Sequence, residues 1–484
     1  MSKNLLLILC VVLLTGCLET ELEIITNKAI QFVTNDNKID ADEYASLEKM
    51  IKNSDDSSLE RFKKSNSQLK DDVFISYLFK YFKAKNITIT ENDIWSPNNK
   101  NKKFNINVFL ENSSSMDGYV KGITRFETAI YNLLGDFKIS GICDSLNLNY
   151  INKQVYIQNK NALSADIEDF IQKLEPSTFK ARGGDRSVSD LENIFKTVLN
   201  TVNKKNVSIL VSDFVFSPGK NVNAQDYLNN QSVGIKIDFA EKLNRLDLHT
   251  MVVKLESNFN GTYYDKKNIP INYSGKRPYY VWIFGNRTQI EKINELKIIQ
   301  KIKGGYLNKL VFQPTKNKRS TDFKILIRPK IGEFISHGLN KKMILEAETE
   351  NSGQNKQRFG FTLAVNFNKE LQEQSYYLNK SNYAISNKQY ELTSEINSNP
   401  SLSAYSHILK LKTNNLNSES LQIDVLGKIP KWVYSSSSND DSNIAFDLDE
   451  QQKTFGLKYL IEGVSDAYYS KSNVINSMKV LIKK

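Results

Sequence analysis

Three short stretches hold the residues whose types and spacing could do chemistry. They are Glu111-Asn112-Ser113-Ser114-Ser115-Met116-Asp117, Arg182-Gly183-Gly184-Asp185-Arg186-Ser187 and Ser212-Asp213. All three are rich in carboxylate and hydroxyl oxygens, side chains that accept hydrogen bonds and hold ligands. A base to go with them is missing from the pattern. His249, His337 and His407 are the only histidines, they are far apart, and no HExxH, CxxC or GxSxG signature occurs. Without a nucleophile and base identifiable by role, acid–base catalysis has no support and ligand binding is the chemistry that remains.

The elements around these stretches decide whether they can meet. Residues 104–110 (FNINVFL) form a buried strand just before the first stretch. A helix follows, opened by the capping box Thr124-Arg125-Phe126-Glu127 and apolar at Phe126, Ala129, Ile130, Leu133, Leu134 and Phe137. Residues 146–150 and 154–157 read as a strand pair. Ser189-Asp190-Leu191-Glu192 is a second capping box, leading a helix into the apolar strand 207–211. Residues 246–254 and 279–284 (YYVWIF) repeat that fully apolar pattern, the mark of strands covered on both faces. Thr288-Gln289-Ile290-Glu291 caps a last helix. Capped helices alternating with buried strands predict an α/β fold with a doubly wound parallel sheet. Ligands of such sheets bind beyond the carboxyl ends of the strands, where the three stretches would lie.

With the elements in this order, residues 103–315 resemble a von Willebrand factor A domain, a Rossmann-like fold. That family carries a metal-ion-dependent adhesion site made of Asp-x-Ser-x-Ser, a Thr after Gly-Gly, and an Asp after the fourth main strand. Glu111, Ser113 and Ser115 match the first motif, with Glu in place of Asp, and Asp213 matches the last carboxylate. Asp185 stands where the family has Thr, and Ser187 is the nearest hydroxyl. The resemblance implies that these six residues hold Mg²⁺ or Mn²⁺ in an octahedron of oxygens, with one position open to a partner's carboxylate. Two departures bear on it. Glutamate is a methylene longer than aspartate, and Asp185 adds charge where a neutral hydroxyl usually sits.

The start of the chain points to a membrane. Lys3 precedes an apolar run over residues 5–14, about ten residues and so the length of a signal core. It ends in Leu14-Thr15-Gly16-Cys17, which resembles the lipobox of bacterial lipoproteins. The resemblance implies a signal peptide at 1–16, acylation of Cys17 (palmitate among the acyl chains) and anchoring through lipid. No aspartate follows Cys17, so the expected place is the cell envelope, on the surface or periplasmic face of the outer membrane. Residues 17–98 read as a helical stalk with a linker at 95–100. Within it, residues 36–44 look like the second half of an EF-hand loop, with Asp40 and Glu43 at its ninth and twelfth positions. Phe32 and Thr34 take the first two ligand positions, so Ca²⁺ at 36–43 is not expected. The α/β domain spans 99–318. Beyond it, short alternating runs at 323–327, 342–350, 358–366, 406–412 and 420–426 predict an antiparallel β-sandwich over 319–484. That domain also contains a flexible loop at 435–442 (SSSSNDDS), a helix at 454–468 and a closing strand around Met478, Val480 and Ile482.

The net charge is +11, or +10 once Lys3 leaves with the signal. Its lysines are interleaved with acids over the whole length, so no nucleic-acid partner is expected. Cys143 alone remains after Cys10 and Cys17 are accounted for, which excludes an intramolecular disulfide. The function expected is binding of a protein or glycan partner through the adhesion-like site, more in keeping with a binder than an enzyme. The alternatives are a metal-assisted hydrolase in the same cleft and a metal-free structural subunit of an envelope assembly.

Overall fold

A computed structural model describes residues 20–36, 38–64, 68–87, 89, 93–95, 103–186, 190–315, 319–338 and 341–484. Cys17 and the rest of the signal segment, Asn37, the linker residues 96–100, Ser187 and Ser189 lie outside them. The chain divides into two compact units, residues 1–100 and 101–484.

The first unit is a folded helical body, where the sequence suggests a polar stalk. Helices α1 (Glu21–Asp36), α2 (Ala41–Lys52) and α3 (Asp71–Ala84), with the 3-10 segment Ser57–Phe62, bury Ile25, Val33, Tyr44, Leu47, Phe62, Phe74, Leu78 and Phe82 in a core of their own. The EF-hand-like residues start α2. Asp40 Oδ1 accepts from the amides of Asp42 and Glu43 at 3.0 Å, and Glu43 Oε2 accepts from the Asp40 amide at 3.0 Å. This reciprocal capping box satisfies amides that the first turn leaves open. Ile39 pairs with Ile94, and the Tyr44 hydroxyl donates to Asp71 at 2.7 Å.

In the second unit, strands β1 (Phe104–Glu111), β2 (Cys143–Ile151), β3 (Val155–Asn159), β4 (Asn206–Ser212), β5 (Leu248–Tyr264), β6 (Pro270–Asn286) and β7 (Tyr306–Phe312) form one sheet, ordered β3-β2-β1-β4-β6-β5-β7. The fold is α/β, but the sheet is mixed. β2, β1 and β4 run parallel, whereas β6 is antiparallel to both β4 and β5, and β3 and β7 are antiparallel edges. The expected parallel order fails at β5–β6 for a simple reason. The 24 residues between the two apolar runs leave room for a crossover, yet they extend both strands to 17 residues and join them in one hairpin closed by a short turn. Strands joined by so short a link must be antiparallel.

Helix α4 (Arg125–Ile139) has the capping box expected of it, Thr124 with Glu127. Two other caps shift. α5 (Leu191–Thr201) is capped by Asp190, whose side chain accepts from the Asn193 amide. α7 (Arg287–Glu295) starts two residues early, with Asn286 and Gln289 as its box, because β6 runs into it without a loop. Between them lies α6 (Ala224–Arg245).

Residues 319–482 hold two further sheets sharing one core, in which Phe359, Phe361, Leu363 and Leu409 of one face Leu421, Ile423, Val425 and Val480 of the other. Two corrections concern the chain's return. Helix α8 (Leu457–Tyr469) packs along α6, and its Leu460, Ile461 and Val464 join the core of the α/β sheet rather than the sandwich. The 435–442 segment, expected to be a flexible loop, is pinned: Ser436, Ser438 and Asp441 are buried, and residues 437–438 pair with 454–455. The closing strand Val474–Ile482 does return to the sandwich, beside Glu419–Leu426.

Candidate functional site

Parallel neighbours put their carboxyl ends at one rim, and the register of β1 and β4 (Leu110 opposite Val211) sets Glu111 and Ser212 side by side. The Ser212 hydroxyl donates to Glu111 Oε2 and accepts from the Phe214 amide at 2.8 Å. In the loop after β1, the hydroxyls of Ser113 and Ser115 lie 3.0 Å apart. Asp213 Oδ1 accepts from the Val215 amide at 3.3 Å, while Oδ2 is buried with no hydrogen-bond partner at ordinary distance. Burial pushes the Asp213 carboxyl up; Arg277, the Val215 amide and the Ser115 hydroxyl pull it back. The rim therefore gathers Glu111, Ser113, Ser115 and Asp213.

Asp185 goes elsewhere. It is exposed and forms an ion pair with Lys153 at 2.5 Å. Ser187 lies outside the described residues. What the Gly-Gly stretch delivers instead is Arg186. Its guanidinium donates to the Asn112 carbonyl at 2.5 Å and the Ser113 carbonyl at 3.1 Å, and pairs with Asp117. The Asp117 carboxyl is raised by burial against the pull of that guanidinium. Gly184, at φ +92°, admits this close approach, because a Cβ there would stand 2.1 Å from Asn152 Nδ2. Asn152 in turn donates to Asn112 Oδ1 at 2.8 Å and to the Gly183 carbonyl at 3.1 Å. Sequence reading missed Arg186, Asn112 and Asn152, although Arg186 sits two residues after the glycine pair.

A further missed residue, Arg277, comes from the hairpin. Ser212 faces Tyr280, which faces Lys254, and β5 continues ten residues further to Tyr264, an arm of roughly 30 Å if straight. The arm lies over the rim. Phe259 packs on Tyr119 with ring centroids 5.1 Å apart, the Ser257 hydroxyl accepts from the Phe126 amide at 2.9 Å, and the Tyr119 hydroxyl donates to the Pro278 carbonyl at 2.7 Å. Gly118 and Gly261 let the two backbones touch, since a Cβ on Gly261 would meet Gly118 Cα at 2.8 Å. Beneath this arm Glu111 is 1 % exposed, Ser113 4 % and Asp213 2 %.

The arm also carries Arg277, which is 0 % exposed. Its guanidinium stacks on Tyr263 at 4.5 Å and donates to the Lys453 carbonyl at 3.2 Å. Tyr263 donates to Asp441 at 2.5 Å, which fastens the arm to the pinned 435–442 segment.

A divalent ion suits part of this arrangement and is opposed by the rest. The open oxygen of Asp213 and the serine hydroxyls are appropriate hard ligands. Against them, the Glu111 carboxylate holds Ser212, Asp185 is engaged at the surface, the rim is covered, and a buried guanidinium already acts on Asp213. Among the described residues no three His, Cys, Asp or Glu side chains gather as a metal-binding group. The residues do not fit the metal the resemblance implies. Hydrolysis with a histidine base finds no support either. His249 is level with the opposite end of the sheet, beside Thr250, which pairs across β6 with the start of β4, and His337 and His407 are in the sandwich strands. The thiol of Cys143, the one free cysteine among the described residues, is pushed by burial to about 11.

No family model, curated protein or solved structure matches the chain. Among the described residues no helix is long and apolar enough to cross a membrane.

Proposed function

We propose that this chain is a lipid-anchored cell-envelope protein, acylated at Cys17, that binds a protein partner through a von Willebrand A-like module. The surface it offers is the top of the covering arm rather than the rim beneath. One observation carries this. The arm's turn, the loop after β4 and the 440–448 segment are hydrogen-bonded together, Gly219 to Lys266 and Lys266 to Asp441. Each presents apolar side chains to solvent: Ile269 at 41 %, Val222 at 47 %, Phe446 at 93 % and Leu448 at 77 %. Exposed apolar groups of this size at the end of a rigid scaffold suit protein contact better than glycan contact.

The test is cross-linking of the full-length protein in intact cells, followed by recovery of the adduct. A Phe446→Asp, Leu448→Asp variant should lose its adduct while keeping its melting temperature, and an Ile123→Asp variant elsewhere on the module should retain it. An adduct unchanged in the double variant rejects this surface. Buried rim residues also suit a permanent structural subunit, which would show a stoichiometric complex that survives purification rather than a reversible one.

A further inference from the structure

We infer that Arg277 is the resident cation of the rim: delivered by the β5–β6 arm, its guanidinium supplies inside the fold the positive charge that a metal ion would otherwise bring to Asp213. The argument starts from burial. A guanidinium keeps its charge in proteins, and an unpaired charge in the interior is strongly unfavourable. Arg277 is fully buried, and Asp213 is the carboxylate among the groups that act on it, beside Tyr273, Tyr119 and Tyr263.

The pairing of β4 with β6 ends at Ser212 opposite Tyr280, three residues from Arg277 on the arm. Asp213 is the first residue past the end of β4, and Arg277 is the cation that acts on it. Both groups keep hydrogen-bonding capacity open. Arg277 Nε and Nη2, like Asp213 Oδ2, lack a partner at ordinary distance. The other acids nearby are committed: Glu111 to Ser212, Asp117 to Arg186, and Asp441 to Tyr263 and the Lys266 amide. Tyrosine oxygens and rings complete the surround, with Tyr263 stacked on the guanidinium and Tyr119 anchored to the next residue, Pro278. A divalent ion on Asp213 would strand Arg277 and add like charge beside it in a medium of low dielectric constant. One site cannot accommodate both cations.

The experiment uses the full-length protein in detergent. Titration with Mg²⁺ and Mn²⁺ by calorimetry should give no saturable heat at millimolar metal, and neither ion should raise the melting temperature. Arg277→Met and Asp213→Asn should each lower the melting temperature. The double variant should regain at least half of the summed loss, because removing both charges removes the stranded one. Arg277→Lys, which keeps the charge, should be milder than Arg277→Met and serves if the latter does not fold. Saturable metal binding that disappears in Asp213→Asn overturns the inference. So do additive losses in the double variant, or an Arg277→Lys variant as damaged as Arg277→Met. Because this test reads charge compensation and the cross-linking test reads surface contact, either can fail without the other.

Discussion

The EF-hand-like turn of the first unit, where Ca²⁺ is not expected, and the adhesion-like rim of the second, where the resemblance implies Mg²⁺ or Mn²⁺, both carry acids at ligand-like spacing, and both use their carboxylates internally. They do so by different routes. Asp40 and Glu43 satisfy amides of the same turn, three residues apart. Asp213 is answered by Arg277, 64 positions away in sequence and brought close by a hairpin. The contrast teaches that a ligand-like spacing of acids says only that oxygens will converge. What neutralises them depends on whether a donor or cation arrives first, and only a local donor can be read in advance.

The largest expected effect tests the distant partner. Arg277→Met leaves Asp213 buried and alone, and breaking a buried pair from one side should cost about 3–5 kcal/mol in chemical denaturation of the full chain. A loss near zero would mean the guanidinium is not paired there. An intermediate effect concerns two lysines of the same sheet that are held without a strong acid. Lys254 donates to Ser436 at 2.6 Å and Lys309 to Asn294 at 3.1 Å, and burial lowers each to about 8. Between about pH 8 and the ordinary lysine value near 10.5 the unfolded chain holds these protons and the folded one does not. Stability should therefore rise with pH across that window, on the order of 1 kcal/mol per pH unit for each lysine, and the rise should shrink in Lys254→Met. Flat stability there would show that both ammonium groups stay charged in the fold.

The smallest effect tests the local partner. Asp40→Ala removes one half of the capping box and should cost about 1 kcal/mol. Added Ca²⁺ should leave the melting temperature of the wild type unchanged, since the carboxylates already serve amides. A Ca²⁺-dependent rise abolished by Asp40→Ala would put the two regions in different classes and dissolve the comparison.

Sequence alone determined what depends on near neighbours. The capping box Thr124/Glu127, the strand pair at 146–150 and 154–157, the buried character of β1 and β4, and the five main strands of the sandwich follow from periodicity and turn chemistry within a few residues. Those elements were enough to bring Glu111, Ser113, Ser115 and Asp213 to one rim, because parallel strands share the direction of their ends. Tertiary structure decided the rest. Whether 255–278 would cross over or fold back could not be read from polar residues that suit either. Arg186 and Arg277 reached the rim through a loop and an arm whose positions depend on packing far along the chain. Asp441, in a serine-rich stretch that reads as loose, became buried because Tyr263 and the Lys266 amide required an acceptor there. Local hydrogen bonds leave a signature in spacing; the pairing of a buried charge is settled only when distant segments compete for the same small volume.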